Sequence, residues 1–182
     1  GYSKCRRIIE QAYLTSMPII LIIVALISFF PEQILGIFTD DMSLISTAVG
    51  YSRITAWAIP FMVIITFNAA AFNGQGDTRT PMLIAMALNI VNVIVGYIAI
   101  FGVFGIGGWG ITGAAIATVV SQLVGAALGL YLLYGKKGLF TRSPHDKKFF
   151  TVDALEVKQF YATGLPAAAE NLFWQLSAII MS

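Results

Sequence analysis

Five apolar stretches, each long enough to cross a membrane, are separated along the chain by polar segments. They cover residues 12–30, 54–72, 81–101, 111–134 and 164–181. A helix needs about 20 apolar residues to cross the hydrocarbon, and its backbone polar groups must be satisfied internally. Because none of the stretches shows the strict alternation of a barrel strand, the pattern predicts an all-α polytopic membrane protein with about five transmembrane helices.

The composition supports this interpretation. Hydrophobic residues make up 58% of the 182 residues and charged residues only 11%, and the mean hydropathy is +0.82. So few polar side chains cannot cover the surface of a water-soluble protein of this length. The lipid bilayer is therefore the expected solvent for much of the chain.

Lysine and arginine are distributed unevenly between the two sides of the membrane. If the spans alternate in direction, ten of the eleven basic residues fall on one side and Arg53 alone on the other. Since cytoplasmic loops carry an excess of basic residues, segments 1–11, 73–80 and 135–160 are predicted to be cytoplasmic loops of a multi-pass protein in the cell membrane. The basic residues are thereby explained as topology signals, and no nucleic-acid partner is expected.

Small residues recur every four positions along the fourth apolar stretch. They are Gly113, Ala117, Ser121, Gly125 and Gly129. Side chains of this size let the backbone of another membrane helix approach closely. The stripe is therefore predicted to be a helix-packing groove, which either is fixed architecture or slides in a moving bundle.

Amide and small side chains recur at helical spacing along the third stretch. They are Ala85, Asn89, Asn92, Gly96 and Ala99. A lipid-facing amide would lack hydrogen-bond partners, so this face should meet protein or water. Hydrogen bonding between helices and the lining of a solute pathway both remain open for Asn89 and Asn92. Asn68 and Asn73, near the end of the second stretch, are expected to be interfacial.

Glu170 is the only charged residue inside the fifth stretch. A carboxylate within a span costs about 2.5–3.5 kcal/mol on insertion scales, so such groups usually face a cavity. Asn171 and Gln175 supply polar atoms nearby. The three residues are candidates for an ion or solute pathway. The alternative is a buried carboxyl group that neighbouring helices satisfy.

Residues that would carry enzymatic chemistry are scarce. His145 and Cys5 are the sole histidine and cysteine, and neither has partners at a metal-ligand spacing. The sequence also lacks a serine nucleophile elbow and a phosphate-binding lysine loop. No enzymatic activity, metal or organic cofactor is predicted.

A series of motifs resembles the multidrug and toxic compound extrusion family of transporters. The motifs are FNGQGDTRTPM over 72–82, Asn89-Ile-Val-Asn92, Phe101-Gly102, GITGAAIAT over 110–118, and Gly164-Leu-Pro166 ahead of Glu170-Asn171. Their order and spacing are also similar to those of the family. The resemblance extends over nearly the whole chain.

The resemblance implies a twelve-helix transporter built from two six-helix lobes. Residues 1–134 would hold spans three to six of the first lobe, 135–160 the cytoplasmic loop between the lobes, and 161–182 the first span of the second lobe. The remaining helices of the same transporter would be partners. Glu170 would be the coupling residue for a proton or a sodium ion, and the cargo would be a small organic, cationic solute.

The first motif is expected to form a tight cytoplasmic turn. Its structural residues would be Gly74, Gly76, Asp77, Thr80 and Pro81. Asp77 and Thr80 would cap the following helix, and Pro81 suits the first helical position because its missing amide hydrogen would have no partner there.

Taken together, these features predict export by alternating-access antiport. Two other functions stay open. A lipid-linked sugar flippase of the same superfamily would share the helical plan. In a non-transporting membrane subunit, Asn89, Asn92 and Glu170 would be packing contacts only.

Overall fold

The computed structural model describes residues 2–36, 42–102, 108–135, 140, 157–158 and 162. Among the residues of these ranges, six helices follow one another: α1 (Tyr2–Phe29), α2 (Pro31–Leu35), α3 (Met42–Ala56), α4 (Ala58–Gly74), α5 (Arg79–Phe101) and α6 (Gly110–Tyr134). No strand occurs among these described residues. The predicted all-α fold agrees with this architecture.

In the part of the chain that the structure describes, three helical segments are long and apolar enough to cross a membrane, namely Cys5–Phe29, Arg79–Phe101 and Gly110–Tyr134. The segments Ala48–Ala56 and Ala58–Gly74, bent by 41° at their junction, make a fourth span if the pair is counted as one. The fifth predicted span, 164–181, lies outside the described residues.

Helix α1 begins earlier than predicted. It starts at Tyr2, so the loop expected over 1–11 is wrong for the described part of that segment. No glycine or proline interrupts residues 2–17. Arg6 Nε also lies 2.8 Å from Glu10 Oε1, one helical turn later. Charges in this segment therefore support a helix by pairing along one face instead of marking a loop.

The second predicted span, 54–72, begins inside α3, and the helix is interrupted at Trp57. Pro60 has no amide hydrogen to donate to the carbonyl of Ala56, so the regular helical ladder cannot continue through this point. The Trp57 amide instead donates to Ile54 O at 3.1 Å, three residues back. The proline is therefore accommodated by a bend between two helices, placed one turn before it.

The long helices alternate in direction. Tyr13 of α1 meets Asn68 of α4, whereas Ile27 and Ile59, near the opposite ends of these helices, line one cavity. Gly113 near the start of α6 packs on Ala99 near the end of α5, and Gly129 near the end of α6 packs on Asn68. The starts of α1 and α5 thus lie at the same end as the ends of α4 and α6. This end is called the basic end below.

The small-residue stripe of α6 forms the central packing surface. All five of its residues are buried: Gly113, Ala117, Ser121, Gly125 and Gly129. Toward the start of α6, Gly113 packs on the backbone of Ala99 in α5. Toward the end, Gly129 packs on the Asn68 side chain in α4. One face of α6 therefore brings two other helices into close contact.

A hydrophobic core lies at the basic end, with Ile9, Tyr13, Ala71, Phe72, Ile84, Leu133 and Phe140 as its buried members. The outer face of α5 is apolar and exposed, as Met86, Val93 and Tyr97 show. Such a face is unsuited to water and suits lipid or other membrane helices.

We expect Gly113→Ala to destabilise the purified protein by about 1–3 kcal/mol, because the added methyl group would collide with the Ala99 carbonyl and force α5 and α6 apart. Gly50→Ala is the matched control. Its methyl group would meet no atom within 4 Å, so a helical alanine should be neutral or stabilising by up to about 1 kcal/mol. Thermal melting in detergent compares the two; equal melting temperatures would contradict close packing at Gly113.

Candidate functional site

A hydrogen bond crosses the interface between α5 and α6 near the middle of both helices. Asn92 Nδ2 donates to Ser121 Oγ at 3.2 Å, and the Ser121 hydroxyl donates to the Thr118 carbonyl at 2.9 Å. The sequence indicates both residues for separate reasons, Asn92 as a polar group on the third apolar stretch and Ser121 as a member of the small-residue stripe. The structure places Asn92, a candidate for the solute pathway, in contact with Ser121 of the small-residue stripe.

Asn89 does not share this environment. Its side chain is exposed, whereas Asn92 is half-buried. Asn89 lies about 60° from Asn92 around the helix axis, so both belong to one broad face of α5, but only Asn92 reaches the contact with α6. The two amides share the predicted face and differ in their exposure.

The turn between α4 and α5 is short. Helix α4 continues to Gly74 and α5 begins at Arg79, so the loop predicted over 73–80 is confined to 75–78, and Pro81 is the third helical residue instead of the first. Its missing amide hydrogen still falls in the first turn, where no intrahelical partner exists. Gly76 has φ +82°, a conformation that side chains disfavour. A methyl group on Gly74 would meet nothing within 4 Å.

Asp77 caps α5. Its Oδ1 accepts from the Arg79 and Thr80 amides at 3.1 Å each, and its Oδ2 accepts from the Thr80 hydroxyl at 2.6 Å. These hydrogen bonds, the Thr80 hydroxyl first, hold the pKa of the Asp77 carboxyl below its ordinary 3.8. The carboxylate thus stays ionised where the helix dipole favours a negative charge.

Asn68 lies in the interior, which corrects the expectation of an interfacial position. It is only 1% exposed, and Tyr13 Oη donates to its Oδ1 at 2.6 Å. The same hydroxyl lies 3.3 Å from Ile64 O. Asn68 can be buried here because Gly129 leaves space beside it. An amide within an otherwise apolar helix was the available signal, but its partner on α1 could not be identified from spacing.

Arg6 and Glu10 form a buried ion pair that the sequence reasoning missed. They are 8% and 6% exposed. Both line a cavity of about 430 Å³ at the basic end, together with Tyr13, Met17, Ile64, Leu130, Tyr134 and Phe140. Opposite charges four residues apart at the start of an apolar helix were the overlooked signal.

The remaining predicted pathway residues, Glu170, Asn171 and Gln175, lie outside the described residues. Within the ranges that are described, no three histidine, cysteine, aspartate or glutamate side chains meet as possible metal ligands. The polar side chains of the described residues can bind a solute or an ion through hydrogen bonds and charge.

Comparison with known proteins gives a consistent result. A family model described as MatE matches residues 2–98. The chain is 29% identical to the probable multidrug resistance protein NorM of Thermotoga maritima, over 75% of this chain and 29% of the relative. It is 26% identical to the probable multidrug resistance protein YoeA of Bacillus subtilis, over 84% of this chain and 33% of the relative.

A third relative, the FAD transporter of Shewanella oneidensis, is 31% identical over 96% of this chain and 38% of its own length. The chain therefore spans roughly a third of the length of these relatives.

Asp77→Ala should lower the melting temperature of the protein at neutral pH. This difference from the wild type should disappear in acid. Because the pKa of the folded-state carboxyl is lower than the ordinary value, its stabilising contribution is fully present above pH 3.8 and is lost as the pH falls through the folded-state pKa. Melting curves of both proteins between pH 3 and pH 7 measure the difference. Thr78→Ala is the control, since Thr78 makes no capping side-chain bond. A difference that persists unchanged at pH 3 would refute the cap.

Tyr13→Phe should destabilise the protein by about 1–3 kcal/mol, because it removes the donor to a buried amide oxygen. Tyr97→Phe, at an exposed position on α5, should have little effect. A double-mutant cycle with Asn68→Ala isolates the pair. A coupling energy near zero in that cycle would show that the hydrogen bond does not stabilise the fold.

Proposed function

This chain belongs to the MatE family, and from that membership we propose that the whole protein exports organic solutes across the cell membrane by antiport with protons or sodium ions. The match over residues 2–98 is the observation that carries the proposal. The names of two relatives, both probable multidrug resistance proteins, support drugs as cargo. Membership of this family agrees with the prediction that the chain is not an enzyme.

The proposed orientation places the basic end in the cytoplasm. It rests on the basic residues, ten of eleven of which fall on one side. Residues 1–134 then belong to the first lobe, 135–160 connect the lobes, and 161–182 begin the second lobe. The other helices of the transporter and the lipid cover the apolar faces that this chain exposes.

Glu170 is the proposed coupling residue, with Asn171 and Gln175 as polar neighbours. Binding of an ion there would favour one of two arrangements of the lobes, and it can shift their populations only by its difference in affinity for the two. Asn89 is proposed to contribute to the solute pathway because its amide is exposed near the middle of α5, where contact with lipid would leave it without partners. Asn92 is proposed to hold this part of α5 against α6 by its hydrogen bond to Ser121.

A second candidate cargo is a flavin nucleotide. The FAD transporter relative is 31% identical and aligns with 96% of this chain, so both cationic drugs and FAD belong in the transport assay. An aromatic dinucleotide is anionic, unlike the cationic solute that the resemblance implies. The two cargoes are therefore distinguishable by their response to membrane potential.

We expect Glu170→Gln in the complete protein to abolish ion-driven efflux, because a neutral amide cannot exchange a proton or pair with a sodium ion. Proteoliposomes with an imposed proton or sodium gradient would be assayed with ethidium and, separately, with FAD. Glu32→Gln is the control, since Glu32 is exposed on α2. Unchanged efflux by Glu170→Gln would refute the coupling role.

The same assay separates the other functions. Wild-type protein that moves neither probe under either gradient, but moves a lipid-linked sugar, would be a flippase. Protein that moves none of these substrates would act as a non-transporting subunit.

A further inference from the structure

The cavity at the basic end has the size and the walls of a site for a small organic molecule. Its volume of about 430 Å³ falls within the range of ligand pockets in proteins. It lies beside α1, α4 and α6, and Phe140, which follows α6, forms part of its wall. The Phe140 amide donates to Leu133 O at 2.8 Å, so the residue is held against the end of α6.

Aromatic and thioether side chains dominate the apolar walls. Tyr13, Tyr134 and Phe140 each contribute a ring, and Met17 lies with them. The rings of Tyr134 and Phe140 are 6.0 Å apart and tilted by 59°, and Tyr13 is fixed by an edge contact with Phe67 at 5.3 Å. Aromatic faces attract cations and stack on flat ring systems.

One acidic group shares these walls. Glu10 is buried and its Oε1 accepts from Arg6 Nε at 2.8 Å. Removing two charges from water is costly, and a buried carboxylate without a partner would be costlier still. Arg6 therefore neutralises Glu10 in this structure. Arg6 also lies within two turns of the start of α1, where a long basic side chain can extend toward the aqueous surface.

We propose that this cavity binds a planar aromatic cation, whose positive charge pairs with Glu10 in place of Arg6 while its rings pack against Tyr13, Tyr134 and Phe140. The ligand belongs to the same chemical class as the proposed cargo. The choice of that class rests on the proposed function. The cavity lies apart from the Asn92–Ser121 interface. Arg6 competes with the ligand for Glu10. Glu10 therefore raises the affinity of the cavity for the cation, and Arg6 lowers it.

The test is equilibrium binding of ethidium to the complete protein in lipid nanodiscs, followed by fluorescence anisotropy without any ion gradient. Glu10→Gln should weaken ethidium binding roughly tenfold to a hundredfold, because a charge-assisted contact is lost. Arg6→Gln should tighten it, since the competing guanidinium is gone. Tyr131→Phe on α6 is the control, because Tyr131 is 72% exposed and lies outside the cavity.

A matched probe separates charge from packing. Phenanthridine has the fused ring system of ethidium without the fixed charge, so Glu10→Gln should leave its affinity unchanged. Should Arg6→Gln fail to fold, the double variant Arg6→Gln/Glu10→Gln carries no buried charge, and it should bind ethidium as weakly as Glu10→Gln. Unchanged ethidium affinity in Glu10→Gln would overturn the site, as would weaker binding in both folded single variants.

These outcomes are independent of transport. Gradient-driven ethidium efflux with no effect of Glu10→Gln on binding would overturn the cavity site and leave the transporter intact. Opposite effects of the two charged residues on binding, in a protein that moves no probe, would support the site and overturn the proposed function.

Discussion

Close contact between helix backbones along one face of α6 is the constraint on which the rest of this structure depends. Lipid tails are as apolar as the side chains, so membrane helices gain little from hydrophobic burial against each other. They associate through close packing and through hydrogen bonds between helices. The small residues of α6 permit both, because Gly113 admits the backbone of α5 and Gly129 admits the Asn68 side chain of α4.

The buried polar groups follow from this packing. Tyr13 with Asn68 and Asn92 with Ser121 are pairs between different helices, and each satisfies atoms that would be costly to leave open in a low-dielectric interior. Arg6 and Glu10 solve the same problem within one helix. That pair differs in lining a cavity, so a solute could replace one partner. Polar residues enclosed between helices stabilise the fold, whereas polar residues that line a cavity can be reached by a solute.

Much of this organisation could be predicted because the membrane restricts the choices. The apolar stretches predicted the starts of α5 and α6 to within two residues, and they predicted the last residue of each helix correctly. The stripe on α6 was visible because a period of four residues keeps side chains on nearly one helical face. The prediction failed where charge was taken to mean a loop, at the start of α1.

The sequence by itself determined the helical membrane class, the motif series of the family and the residues small enough to pack closely. These are local properties, since hydrophobic length, proline chemistry and side-chain size act within one segment. Only the tertiary structure decided that Asn68 is buried against Tyr13, that Asn89 and Asn92 occupy different environments, and that Glu10 lines a cavity. Those outcomes depend on how each helix is rotated about its axis and which neighbour it meets, and both are decided by packing between segments distant in sequence.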